Sequence, residues 1–216
     1  MRLIAHRGFA AEAPENTLGA IRRSADRADA VEVDARRCGS GELVVIHDET
    51  VDRVTDGQGR VDEHTRDELA ALSVLGSGEG VPTLDEVASA IPDGVGLLLE
   101  IKEPGIARDA LAAAADVDDL LVSSFLPAAL AECRWVDDDV PLALNVVESD
   151  GIAEARGLDC AAVHPHLGRC AADYVDRARA AGLDVNAWTV EDRETARELA
   201  DVGVDGVIAD RSDVLA

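Results

Sequence analysis

The chain has 216 residues and a formal net charge of −24, with 44 acidic side chains against 20 basic ones, 47% hydrophobic residues and 2% aromatic residues. Ordinary hydrophobic content with strong apolar periodicity excludes a disordered acidic tail, and the charge excludes nucleic acid, which a surface of the same sign repels. No apolar run reaches the length of a membrane span and Met1–His6 is too short and polar for a signal peptide, so the expectation is a cytoplasmic protein without stable membrane anchoring.

Leu3–Gly8 reads as a short buried strand ending in polar residues, and Pro14-Glu15-Asn16-Thr17 opens a helix with Asn16 or Thr17 as its N-cap. Ala30–Arg37 and Leu43–Asp48 alternate apolar and polar residues around a Gly-Ser-Gly turn. A link this short cannot hold a parallel crossover, so the two runs form an antiparallel hairpin. Pairing Cys38 with Leu43 puts Asp34 opposite His47, with Glu32 one pleat away on the same face. Residues from about 49 to 81 carry turn signals and one brief amphipathic piece around Leu69 and Leu72, which predicts an insertion beside a site.

From there the alternation is regular. Helices are predicted over Thr83–Ile91, Ile106–Ala115, Ala128–Trp135, Ile152–Arg156, Ala172–Ala181 and Glu194–Val202. Strands are predicted over Val95–Lys102, Leu120–Phe125, Leu142–Val147, Ala161–His166, Val185–Thr189 and Gly206–Asp210. With Leu3 and Val31 this makes eight strands, each expected to be followed by something helical, the pattern of a (β/α)8 TIM barrel. The expectation is a single barrel domain over 1–216 with one short insertion.

Polar residues collect at the strand ends: His6, Arg7, Glu32, Asp34, Glu100, Lys102, Ser124, Asn145, His164, Asn186, Trp188 and Asp210. In a barrel those ends form one rim, where active sites are built. Taken alone, Glu32 and Asp34 could be the solvated side of an edge hairpin paired with Arg36 and Arg37; the convergence of so many polar groups on one rim disfavours that.

Glu32, Asp34 and Glu100 supply only oxygen ligands, which selects one hard divalent cation, Mg2+ or Ca2+. Three carboxylates and that ion sum to −1, and Arg7 with Lys102, the only lysine, brings the site to +1, suited to a monoanionic phosphodiester. His6 and His47 have ordinary pKa values near neutrality and suit the transfer of protons at attacking and leaving oxygens.

The residues His6-Arg7-Gly8, Pro14-Glu15-Asn16-Thr17, Glu32-x-Asp34, His47-Asp48, Pro82-Thr83-Leu84, Glu100-Ile101-Lys102, Ser124-Phe125, Asn186-x-Trp188-Thr189-Val190 and Asp205–Asp210 occur in an order and spacing that resembles the glycerophosphodiester phosphodiesterase family over essentially the whole chain. The resemblance implies metal ligands at Glu32, Asp34 and Glu100, acid–base catalysis by His6 and His47, phosphate contacts from Arg7 and Lys102, and a glycerol pocket lined by Phe125 and Trp188. It also implies hydrolysis of glycerophosphodiesters to glycerol phosphate and an alcohol, through attack by the neighbouring glycerol hydroxyl and a cyclic phosphate. Ser123 departs from the family's frequent glutamine.

Rival readings are a barrel that binds a phosphorylated ligand without catalysis, and a phospholipase D-like phosphodiesterase, which would want an apolar lip that the acidic insertion does not offer. Cys160, His164, His166 and Cys170 could be zinc ligands, but their spacing is irregular. With Cys38 and Cys133 the cysteines contain no CxxC pair and read as small buried thiols. A surface this acidic is self-repelling in dilute buffer and tolerable where the Debye length falls to about 3 Å near molar salt, so a salt-rich, halophilic cytoplasm is expected.

Overall fold

The computed structural model describes all residues, Met1–Ala216. The strands are β1 (Arg2–Ala5), β2 (Ala30–Arg37), β3 (Leu43–Val45), β4 (Gly96–Ile101), β5 (Leu120–Ser124), β6 (Leu142–Val146), β7 (Ala162–Pro165), β8 (Asp184–Val190) and β9 (Gly206–Ala209). All but β3 run parallel, and because β1 pairs with both β9 and β2 the eight close into a barrel. The expected architecture is therefore the observed one. Closure leaves no free edge except where β2, longer than its neighbour β1, runs on past Val31. That overhang, Ala35–Arg37, is covered by β3 in antiparallel register.

Each strand has two buried faces, which is why the strands read as apolar runs rather than as clean alternation. Val31, Val33, Leu97, Leu99 and Ile101 turn outward and pack beneath the helices in one continuous core. Ile4, Ala30, Leu98 and Ile208 turn inward and form a small apolar plug. Polar residues of the next inward layer are thus held above a dry floor.

The helices are α1 (Leu18–Ala25), α2 (Arg66–Ala71), α3 (Leu84–Ala88), α4 (Ala107–Ala113), α5 (Pro127–Val136), α6 (Ile152–Gly157), α7 (Ala172–Ala180) and α8 (Arg193–Val202). Thr17, not Asn16, caps α1 by accepting the Ala20 N–H, which releases Asn16 for another task. Capping boxes Thr65/Glu68 and Thr83/Glu86 start α2 and α3. The expectation that every strand is followed by a helix fails at β9. There the chain enters a turn, and Glu12 accepts from both the N–H and the hydroxyl of Ser212. No helix is long and apolar enough to cross a membrane.

The insertion has a core of its own, in which Val44, Ile46, Val51, Val54, Leu69 and Val74 are buried together. Isolated bridges Thr50–Arg60 and Thr55–Val74 fold it back on itself. It is therefore a packed unit at the barrel mouth rather than a loose loop.

Candidate active site

The loop after β1 begins with a three-residue 3-10 turn, His6–Gly8, and places Arg7, Phe9 and Asn16 at positive φ (50°, 65° and 60°). Such conformations cost on the order of 1–3 kcal/mol each and persist where surroundings over-determine them. Here the Arg7 N–H donates to Glu32 Oε2 at 2.9 Å and its Nη1 to Glu15 Oε1 at 2.9 Å, while its Nε lies 3.3 Å from Asp34 Oδ2. Asn16 Nδ2 donates to Asp34 Oδ2 at 2.9 Å. Gly8 has φ +79°, and a Cβ there would meet Ala20 Cβ at 2.9 Å, so the turn requires glycine.

Glu32 and Asp34 project from the same face of β2, and Asp34 is the register partner of Glu100 on β4. Parallel pairing thus brings the three buried carboxylates to one level, with one oxygen of each within 4.8 Å of the others. Lys102 Nζ stands 2.5 Å from Glu100 Oε1 and 3.4 Å from Asp34 Oδ1. Burial and then the Asp34 charge push Glu32 up to about 8. Burial and Asp34 raise Glu100 as well. For Asp34 burial works in the same direction, but Lys102 and Arg7 outweigh it and hold the carboxyl below its ordinary value.

A divalent cation fits this set on three counts. The donors are all hard oxygens, Asp34 Oδ1 is buried with no hydrogen-bond partner, and two side-chain cations face three carboxylates whose burial and mutual repulsion raise the pKa of Glu32. The cluster could therefore bind a divalent metal.

His6 and His47 line the same cleft, of about 480 Å³ counted to its open mouth, together with Arg7, Glu32 and Glu100. Each imidazole is backed by a carboxylate: His6 Nδ1 donates to Asp210 Oδ1 and His47 Nδ1 to Asp48 Oδ1, both at 2.6 Å. Donation at Nδ1 leaves Nε2 of each ring for chemistry. Burial disfavours charge on His6, but the Asp210 hydrogen bond and the Glu32 charge outweigh it and raise its pKa. Burial lowers that of His47 against the pull of Asp34, and Lys102 and Arg7 add to the depression. Two groups with the same ordinary pKa are pushed apart, the pattern that separates an acid from a base.

The hairpin register differs by one from the sequence expectation. Arg37 pairs with Leu43 and Ala35 with Val45, so Asp34 faces Ile46, whose N–H it accepts at 2.9 Å, rather than His47. The turn sets this, since the Cys38 N–H donates to Glu42 O. His47 reaches the cleft because β3 ends at Val45 and Ile46 is anchored in the insertion core, leaving the chain to bend over the rim. A chain of ion pairs steadies the bend, Arg53 binding both Asp48 and Glu15, which in turn holds Arg7.

Phe125 and Trp188 form an edge-to-face pair across the mouth, with ring centres 5.3 Å apart. Lys102 is not among the residues lining the cleft; its ammonium sits beside Glu100 and Asp34 and over the Phe125 ring, 5.8 Å from its centre. Ser124 is likewise absent from the wall, because its hydroxyl turns away to donate to Ile101 O at 2.7 Å, and Ser123 takes the inward position. Cys160, His164, His166 and Cys170 do not converge: both ring nitrogens of the fully buried His164 are engaged by Asn145 and Asn186. Sequence reasoning missed the backing of His6 by Asp210 and the Glu15–Arg53 linkage, although Asp210 at a strand end and Glu15 in the Pro-Glu-Asn-Thr run were visible signals.

The sequence matches the Glycerophosphoryl diester phosphodiesterase family over residues 6–113 and 103–214. It is 32% identical to a glycerophosphodiester phosphodiesterase of Caldanaerobacter subterraneus, over 99% of this chain and 95% of that one. A phosphodiesterase of Oleispira antarctica, solved in complex with the product sn-glycerol-3-phosphate, superposes with a TM-score of 0.90 at 32% identity, covering 99% and 95% of the two chains. A glycerophosphodiester phosphodiesterase structure from Thermotoga maritima gives 0.87 at 26% identity, covering 99% and 96%.

Proposed function

The chain belongs to the glycerophosphoryl diester phosphodiesterase family and is a phosphoric diester hydrolase; on that premise we propose that it cleaves glycerophosphodiesters to glycerol phosphate and an alcohol by metal-dependent acid–base catalysis. One observation carries the reading: two of the three clustered carboxylates, Glu32 and Glu100, border a cleft that also holds two imidazoles, each backed by a carboxylate at 2.6 Å.

Glu32, Asp34 and Glu100 would hold the cation, Mg2+ or Ca2+, which when bound would supply positive charge to the phosphoryl group. Arg7 and Lys102 add positive charge from the protein, Arg7 from the cleft wall and Lys102 from beside Glu100 and Asp34. Phe125 and Trp188 give the glycerol carbons an apolar wall. His47, kept neutral, accepts the proton of the glycerol hydroxyl next to the phosphate as its oxygen attacks phosphorus. His6, whose pKa is raised, donates its proton to the departing alcohol oxygen. The resulting cyclic phosphate is opened by water, with His6 now accepting a proton and His47 returning one to the ring oxygen. The product bound by the Oleispira antarctica protein supports glycerol phosphate as the product here.

The excess of carboxylates supports a salt-rich cytoplasm as the working environment. The experiment that tests the whole reading is an activity panel over several glycerophosphodiesters in high salt, with Mg2+, with Ca2+ and with chelator. Turnover that chelator abolishes is expected. Binding without turnover would instead favour the non-catalytic barrel, and turnover unaffected by chelator would remove the metal from the mechanism.

A further inference from the structure

Glu100 is held at both oxygens. Oε1 meets Lys102, and Oε2 accepts from Asn145 Nδ2 at 3.1 Å. Asn145 on β6 reaches β4 over the intervening strand because the residue beside Glu100 there is the small Ser123. Behind Asn145 lies its register partner His164, with Nδ1 3.0 Å from Asn145 Oδ1 and Nε2 3.0 Å from Asn186 Nδ2.

The direction of this chain is forced from one end. With Lys102 donating to Oε1 and Asn145 Nδ2 placed on Oε2, the Asn145 amide presents its NH2 to Glu100 and turns its oxygen to His164. That oxygen demands a proton on Nδ1, which leaves Nε2 as the acceptor for Asn186. Asn186 therefore donates to His164, His164 to Asn145, and Asn145 to Glu100, through four buried residues on β8, β7, β6 and β4. A second proton on His164 would set two donors against each other at Asn186, and burial keeps the ring neutral by pushing its pKa down to about 3.

We propose that His164 is a positioning residue that fixes which end of the Asn145 amide faces Glu100 and thereby aims the Glu100 carboxylate for metal binding. The proposal rests on the metal reading above. Hydrogen-bond partners behind metal ligands are worth ~10–100-fold in metal affinity.

The test is calorimetric titration of Ca2+ alone into the parent chain and into Asn145→Leu, His164→Phe, His164→Gln and Glu32→Gln. Asn145→Leu and His164→Phe are expected to weaken Ca2+ binding ~10–100-fold, while His164→Gln, which keeps a donor and an acceptor, recovers part of the loss. At saturating Ca2+ the KM for glycerophosphocholine is expected to stay near the parent value. If Glu32→Gln loses the metal but Asn145→Leu and His164→Phe bind within about twofold of the parent, well short of the expected loss, the positioning role is overturned alone. If Glu32→Gln binds like the parent, or the parent binds nothing, the metal reading falls and this proposal with it. Should a variant not fold, nitrogen-15 NMR of the parent decides: an Nδ1–H tautomer at neutral pH supports the proposal, and an Nε2–H or charged ring overturns it.

Discussion

His6 Nδ1 and Asp210 Oδ1 are 2.6 Å apart although 204 residues separate them in the chain. The contact exists because β1 and β9 are neighbours in the closed barrel, with Ala5 in register with Ala209, and both side chains follow directly from those paired residues. Closure of the barrel and orientation of one imidazole are thus a single structural event.

Replacing Asp210 with Asn keeps the shape but offers the ring an amide in place of a carboxylate acceptor. The expected outcome for Asp210→Asn is a fall in kcat of roughly 10²–10⁴-fold, the range for acid–base catalysis, with KM for glycerophosphocholine little changed. Steady-state kinetics at saturating metal check it, and a variant with near-parent kcat would show that His6 needs no orienting partner.

The opposed shifts of the two histidines set the pH profile. In the proposed mechanism His47 serves as base and must be neutral, so activity is expected to rise with pH through its lowered pKa. In the same mechanism His6 serves as acid and must be protonated, so activity is expected to fall as pH passes its raised pKa. The expected kcat profile is a plateau spanning the ordinary histidine value of about 6.5, and His47→Ala should abolish the acid limb of whatever activity remains. Loss of the alkaline limb from His47→Ala would exchange the two roles.

Metal binding should release protons. With Glu32 pushed up to about 8 in the metal-free chain, the site at pH 7 holds a proton that a cation must displace. Affinity for Ca2+ is expected to rise with pH up to about 8 and level off above it, with close to one proton released per ion at pH 7, as a ten-to-one protonated group requires. Titrations in two buffers of different ionisation enthalpy measure this, and heats that do not depend on the buffer would place the cation elsewhere.

Salt should stabilise the fold. Even if every basic residue were paired, 44 acidic against 20 basic side chains would leave 24 carboxylates without a partner. Raising KCl from 0.1 to 1 M shortens the screening length from about 10 to about 3 Å. Each kcal/mol of repulsion so removed lifts the melting midpoint by about 2–4 °C in a chain of this size. A midpoint that stays flat or falls along a KCl series would count against adaptation to salt.

Much of the site was legible because period-2 alternation is built into a strand. Glu32 and Asp34 had to share a face wherever β2 ended up, and the location of polar residues at strand ends was enough to place His6 and Glu100 on one rim. The phase of β5 was harder. A strand buried on both faces offers no polar alternation from which to tell Ser123 from Ser124. The hairpin register lies one residue from the sequence expectation, because the pairing of Cys38 with Glu42 in the turn depends on backbone geometry that Gly-Ser-Gly alone does not specify.

The sequence by itself determined which side chains exist, which of them alternate onto a common face, and how many strands the barrel has, since all three are local properties of a covalent backbone. Only the tertiary structure decided that Asp210 stands behind His6, that Arg53 ties the insertion to Arg7 through Glu15, and that Asn186, His164 and Asn145 line up toward Glu100. Those meetings depend on how each strand slides against its neighbours when the ring closes. That offset is settled by all eight strands together and is written in no single stretch of the chain.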